Sequence, residues 1–351
     1  MNEIQQSGKL AVASLFCGAG GLEIGVCKTG LVDKLFSTDS NEVFLSTVAN
    51  NIPNHFPNVA HQHFKINVQE LTGSVVQDSL GQAPDIVVGG PPCDDYTAFG
   101  RRRGFDGDKG PLIFDFLRIV KEAKAGSFVF ENVPNLNQQF RHVFDKFLAT
   151  AKSYGYLCKT MVLEARHFGA PTKRKRIFVV GWKSSKNYKN YTFPKAKFTD
   201  PHELPLLELE NSKKDSFIYI SDVLKDLPDV KTPEAKKFLN HVGRNHRDET
   251  IAHLKTVLPG QQVKKSFRYR APWDGLCQSL TAGLDDSTKS HIHPIFHREM
   301  SVREYARIHQ FPDTWDFSGT HHNGIKQVAN SVPIGLSSAV MKSVVICIMQ
   351  R

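Results

Sequence analysis

From residue 9 to about 182, short apolar runs alternate with longer stretches of helical character, and this alternation is the tightest constraint on the fold. The strand candidates are Leu10–Phe16, Leu35–Asp39, Asp85–Val88, Phe128–Phe130 and Ile177–Val180; helical stretches such as Pro111–Ala125 and Val143–Tyr154 fall between them. The pattern predicts an α/β fold: a doubly wound, mainly parallel sheet with helices on both faces. After Trp182 the character changes. Residues 183–215 carry many Lys, Asn and Pro with little periodicity, and residues 240–275 mix Arg, Lys, His and aromatics. We read 183–318 as a second, smaller, irregular and basic domain. Residues 1–182 and 319–351 form the first domain, to which the apolar stretch 324–346 returns as a helix.

The first strand candidate runs into Cys17-Gly18-Ala19-Gly20-Gly21. Glycines at such a turn let the backbone reverse sharply and bring its N–H groups close to a ligand. Asp39 ends the next strand candidate, about 20 residues on, where a carboxylate accepts hydrogen bonds from ribose hydroxyls. The glycines at 18, 20, 21 and 25 do not match the dinucleotide pattern G-x-G-x-x-G, which counts against a nicotinamide cofactor. A methionine-sulfonium nucleoside needs no pyrophosphate cradle and suits the looser pattern better. On this turn alone, a plain strand–helix connection explains the glycines equally well.

Asp85–Gly90 leads into Pro91-Pro92-Cys93, and a basic run, Arg101-Arg102-Arg103, follows. A thiol held rigidly at the carboxyl end of a strand, with cations nearby, is placed to act as a thiolate nucleophile. Glu131 ends the strand after that, in Phe130-Glu131-Asn132-Val133. A carboxyl group there is desolvated and expected to titrate high, as a general acid requires; a buried structural glutamate is the bland alternative. Arg174 and Arg176 stand two residues apart ahead of Ile177–Val180, so a strand there turns both toward one face.

The remaining composition sets broad limits. The formal charge of +10 favours a polyanionic partner. Six cysteines, at 17, 27, 93, 158, 277 and 347, form neither a CxxC pair nor a disulfide framework, which fits a reducing cytoplasmic setting. There is no apolar run of about 18 residues, so no membrane span is expected, and the polar, acidic N-terminus makes a poor signal peptide. The histidines at 291, 293, 297, 321 and 322 lack a Cys or carboxylate at ligand spacing. We expect them at the surface or facing nucleic acid, and no metal.

Taken in order, LFCGAGGLEIG, GGPPC, ENV, APTKRKRIFVVG, SVREYARIHQFPD and QVANSVP resemble the cytosine-C5 DNA methyltransferase family, particularly its small stand-alone bacterial modification enzymes. The resemblance implies a Rossmann-like catalytic domain that binds S-adenosylmethionine through Phe16, Gly18, Gly20, Asp39, Asn67, Pro92, Leu112 and Asn330. It implies that Cys93 attacks cytosine C6, that Glu131 holds and protonates N3, and that Arg174 and Arg176 grip the ring and support Glu131. It assigns 183–318 to recognition of double-stranded DNA, with a flipped-out target base. A monomer is expected, with a cognate restriction endonuclease that acts on the same site without a stable complex.

The chain departs from the family after Pro-Pro-Cys. Asp94-Asp95-Tyr96-Thr97 replaces the usual Gln and the Phe-Ser that follows, Thr172 stands for the usual Gln ahead of the arginines, and Asp39 stands for Glu. Asp94, Thr97, Arg101, Arg102 and Arg103 are expected at the DNA. A carboxylate at 94 disfavours the neighbouring thiolate. Two alternatives compete: methylation of tRNA, as in one branch of the family, and a catalytically weak DNA-binding paralogue. The long basic region opposes the first, and the presence of Cys93, Glu131, Arg174 and Arg176 opposes the second.

Overall fold

The computed structural model describes residues 9–92, 111–199, 215–263, 269–280 and 291–350. Seven strands form one sheet: β1 (Leu10–Leu15), β2 (Val32–Asp39), β3 (Ala60–Lys65), β4 (Ile86–Gly89), β5 (Ser127–Asn132), β6 (Leu157–Glu164) and β7 (Lys175–Trp182). Their order is β3-β2-β1-β4-β5-β7-β6. The five from β3 to β5 are mutually parallel, and β7 runs antiparallel to β5. The chain winds outward from β1 to β3, then returns to place β4 on the other side of β1. That reversal of direction opens a crevice at the strands' carboxyl ends.

The central strands are apolar throughout because both faces are covered. Ala11, Ala13, Leu15, Phe36, Val87, Phe128 and Phe130 pack on one face against α3 (Gly73–Leu80), α4 (Leu112–Glu122) and α5 (Arg141–Ser153). Phe116 of α4 meets Phe128 and Phe130 edge-on at 5.8 and 5.5 Å, and Phe147 of α5 lies 4.4 Å from Phe130. On the opposite face α1 (Gly21–Cys27) packs closely on Ser337, and α2 (Glu42–His55) covers β2 and β3. The start of α2 is fixed by Asn41, whose side-chain oxygen accepts the N–H groups of Val43 and Phe44.

The five anticipated strands are present, with β2 starting earlier, at Val32. Two more were not anticipated. The strand β3 (AHQHFK) and the strand β6 are the edges of the sheet and largely exposed, so neither needs an apolar run. Among the described residues five further α-helices follow up to residue 330: α6 (Ser185–Asn190), α7 (Ile220–Leu224), α8 (Asp248–Lys255), α9 (Val302–Ile308) and α10 (His321–Asn330). The helix expected over 324–346 is broken into α10 and α11 (Ile334–Met349), because Pro333 has no N–H to continue the first. Among the described residues no single helix is long and apolar enough to cross a membrane.

The chain divides into two compact units, one of Met1–Leu163, Arg176–Pro194 and Ser337–Arg351, the other of Glu164–Lys175 and Lys195–Leu336. The boundaries therefore differ from those drawn at 182 and 319. Residues 183–194 stay with the sheet because Tyr191 packs on Trp182 at 5.3 Å and accepts a hydrogen bond from Ser343. Residues 164–175 join the second unit through bonds from Cys277 N–H to Pro171 O and from Lys173 N–H to Cys277 O. Within that unit the irregular backbone has few ladders to satisfy its carbonyls, and buried guanidinium groups take their place. Arg303 donates to Leu239, Pro312 and Trp315, and Arg270 to Leu254, Val257 and His293.

Gly25 of α1 offers a test of this packing. A Cβ there would lie 2.6 Å from Ser337 Oγ and 2.8 Å from the Ser337 carbonyl carbon. Alanine favours a helix over glycine by about 1 kcal/mol, but overpacking against backbone costs about 1–3 kcal/mol. Gly25→Ala is therefore expected to lower the unfolding free energy in denaturant titration. A variant more stable than the parent contradicts this packing.

Candidate active site

Register brings the carboxyl ends of the parallel strands to a common edge. Leu15 pairs with Thr38 and with Gly89, Gly89 with Phe130, and Asp39 with Lys65. One to three residues further on stand Phe16, Gly18, Asn67, Gly90 and Glu131. Several of the expected cofactor residues and the expected acid thus emerge from one edge, although they are far apart in sequence.

The glycine turn is held by Asp39. Phe16, Gly18 and Gly20 all have positive φ, at 57°, 55° and 90°. Phe16 in that region is strained, and such strain persists only where neighbours over-determine it. Cys17 N–H donates to Thr38 O at 3.1 Å, and Gly18 N–H to Asp39 Oδ2 at 3.0 Å. Asp39 Oδ1 accepts from Asn41 N–H at 2.8 Å. Each carboxylate oxygen keeps a further lone pair for a ribose hydroxyl. Burial pushes the Asp39 carboxyl up, opposed by the N–H groups of Asn41 and Gly18.

Phe16 and Leu112 are half-buried and pack on the rim of the main core cluster. Asn67 is exposed; its side chain accepts Gln69 N–H, and its carbonyl accepts from Glu70 and Leu71. Asn330 is the exposed last residue of α10, in the second unit.

Beneath the turn lies a group not anticipated as functional. Glu23 is fully buried in α1; its Oε1 accepts the Ser14 hydroxyl at 2.5 Å, and its Oε2 has no hydrogen-bond partner among the described residues. Burial pushes this carboxyl up to about 7, against the Ser14 hydroxyl and its own N–H, while Asp39 adds to the rise. The signal for it in the sequence was an acid inside the apolar run Leu22–Val26. A side-chain-free turn, an apolar rim and an electronegative floor fit a cationic nucleoside.

Glu131 and Arg176 are brought together. Arg176 Nε lies 2.7 Å from Glu131 Oε1, with side-chain exposures of 13% and 9%. Polar side chains are tolerated at such burial because each gives the other a partner. A Cβ on Gly90 would lie 2.6 Å from Glu131 Oε2, so glycine is what lets the carboxylate sit against the backbone leading to Pro91-Pro92. Asn132 Nδ2 donates to Pro91 O at 3.2 Å, and Asn132 Oδ1 accepts from Val133 N–H. Asn132, which the ENV motif alone leaves without a role, ties the end of β5 to the segment after β4. Pro92, half-buried, is the last described residue of that segment.

Arg174 does not share the environment of Arg176. It precedes β7, is fully buried, and donates to Leu280 O at 3.0 Å and Ala329 O at 2.7 Å within the second unit. Cys93, Asp94, Thr97, Arg101, Arg102 and Arg103 lie outside the described residues. Two of the histidines expected at the surface are buried. His291 Nδ1 lies 3.3 Å from Cys277 Sγ, and His293 Nε2 lies 3.5 Å from Glu304; burial depresses both histidines to about 4.

A family model described as C-5 cytosine-specific DNA methylase matches residues 10–345. The Type II methyltransferase M.Eco47II of Escherichia coli is 32% identical over 349 residues, covering 95% of this chain and 78% of its own. The Type II methyltransferase M.MthTI of Methanothermobacter thermautotrophicus is 28% identical over 364 residues, covering 95% and 96%. Among solved structures, a prophage-encoded E. coli protein described as a DNA modification methyltransferase superposes with a TM-score of 0.74 at 21% identity, covering 97% of this chain and 99% of that one.

The ion pair can be tested without activity. Arg176→Met strands a buried carboxylate and is expected to lower the unfolding free energy by about 3 kcal/mol. Adding Glu131→Gln should recover part of that loss. If the two effects instead add to within about 0.5 kcal/mol, the side chains are not coupled.

Proposed function

This chain belongs to the C-5 cytosine-specific DNA methylase family, and from that premise we propose that it transfers a methyl group from S-adenosylmethionine to C5 of a cytosine flipped out of double-stranded DNA, with Cys93 as nucleophile. It is a DNA (cytosine-5-)-methyltransferase of the Type II kind. The observation that carries the mechanism is the buried Glu131–Arg176 pair packed against Gly90, two residues before the Pro92–Cys93 step.

Phe16, Gly18, Gly20, Asp39, Asn67, Pro92, Leu112 and Asn330 would hold the cofactor. When bound, it supplies an electrophilic methyl group on a sulfonium. The protein's task is to make C5 nucleophilic enough to take that methyl. The Cys93 thiolate adds to C6, and Glu131 donates a proton to N3, so that the ring becomes an enamine with electron density at C5. Arg176 holds Glu131 in place and balances the charge left when its proton departs. After methyl transfer, loss of the C5 proton to a base re-forms the C5–C6 double bond. Cys93 leaves as thiolate, and the N3 proton returns to Glu131. Because C5 and C6 are covered in a stacked duplex, the base must leave the helix.

Arg174 acts as a positioning residue: by bonding Leu280 and Ala329 it fixes the backbone just ahead of Arg176. Residues 183–318 read the target, and the positive charge of the chain supports phosphate contact.

Cys93→Ala is expected to abolish methyl transfer while retaining DNA binding. A duplex bearing 5-fluorocytosine at the target should trap the parent enzyme covalently, since fluorine blocks the final elimination. Glu131→Gln should slow turnover by about 10²–10⁴-fold with nearly unchanged cofactor affinity. Normal turnover by Cys93→Ala overturns the mechanism.

A further inference from the structure

We propose that Glu23 senses the charge of the bound nucleoside, so that the turn after β1 holds the sulfonium cofactor in preference to its neutral thioether product. This deepens the cofactor reading above and rests on it.

The argument starts from burial. A carboxyl group with no exposure and one unpartnered oxygen is costly to keep, and such a group calls for an explanation. Structural need does not supply one: Ile24 and Val26 on the same short helix are fully buried and apolar, as a helix packed on a sheet requires. The position of Glu23 is informative. It lies in the first turn of α1, directly after Gly20-Gly21, and under a loop whose other anchor is Asp39.

Among the described residues, the groups that face it carry no positive charge. From β1 comes the Ser14 hydroxyl, from the turn the Cys17 thiol, from the end of β2 Asp39, and from its own helix Cys27. The nearby Ser337 hydroxyl is committed to Gly21 O. Glu23 and Asp39 both push the Cys17 thiol up, after burial itself, so both acids are felt inside the turn. Two carboxyl groups with no cation among the partners acting on Glu23 make a floor that favours a positive ligand.

The two forms of the cofactor share every group except the methyl and the charge it brings. Their difference in affinity therefore reports an interaction with charge. Burial leaves Glu23 about half protonated near neutrality. A cation above it stabilises the carboxylate and expels the proton, whereas a neutral thioether does not. Binding of the sulfonium should then strengthen as pH rises through 7, and binding of the thioether should stay flat. This gives the turn a means of releasing product after the methyl has gone.

The test is titration calorimetry of the full chain without DNA, using S-adenosylmethionine and S-adenosylhomocysteine. Between about pH 6 and about pH 7.5 the sulfonium should bind roughly tenfold more tightly and the thioether within about twofold, from linkage to one carboxyl group. Glu23→Gln should flatten the sulfonium profile and narrow the preference between the two ligands. Unliganded Glu23→Gln should also gain thermal stability over the parent as pH rises from about 5 to about 7.5, because a raised carboxyl contributes stability at low pH that is lost on ionisation. Should that variant fold poorly, Ser14→Ala removes the donor that favours the carboxylate and should move the sulfonium profile to higher pH. Parallel pH profiles for the two ligands, or a Ser14→Ala profile identical to the parent's, overturn the proposal. If neither ligand binds at either pH, the cofactor reading itself fails.

Discussion

The structure depends on one constraint: parallel strands buried on both faces, as β1, β4 and β5 are, can place polar chemistry only near their ends. Within β1, β4 and β5 as far as Phe130, apolar side chains fill both layers, and Ser14 and Ser127 are small exceptions. Past the last ladder bonds the chain is released from that demand, and the chemistry begins there at once. Asp39 can then clasp a strained glycine turn, and Glu131 can face Arg176 from the antiparallel neighbour β7. Because the strands are parallel and in register, residues distant in sequence, such as Leu15 and Gly89, come to one edge without any loop having to reach.

That constraint also explains how much was legible. The turn, the Pro-Pro step and the acid near the end of β5 were readable because each interrupts an apolar run with residues that do not belong to it. The edge strands β3 and β6 were not readable, since an exposed edge needs no apolar pattern. The antiparallel direction of β7 has no local signature. Arg174 and Arg176 looked equivalent at two-residue spacing. Yet β7 begins between them, at Lys175, and their recorded partners are backbone carbonyls for one and a carboxylate for the other. Glu23 was passed over because an acid in the first turn of a helix is ordinarily solvated there and favoured by the helix dipole.

The second unit changes the meaning of the charge count. Several of its arginines, Arg270 and Arg303 among them, are buried and bonded to carbonyls, and Arg298 is paired with Asp229 and Glu304. These hold an irregular fold together and are not offered to phosphate. The net charge of +10 therefore overstates the cations at the surface, where exposed residues such as Lys236, Lys237 and Arg247 remain.

The central claim, that this chain methylates cytosine C5 in DNA, is tested most directly by bisulfite sequencing of DNA from cells that express it. Position, chemistry and context are read in one measurement, because 5-methylcytosine resists deamination. The account predicts unconverted cytosines at a single position within one short recurring sequence, absent from cells without the gene. Complete conversion across the genome in cells that contain the folded protein would contradict it.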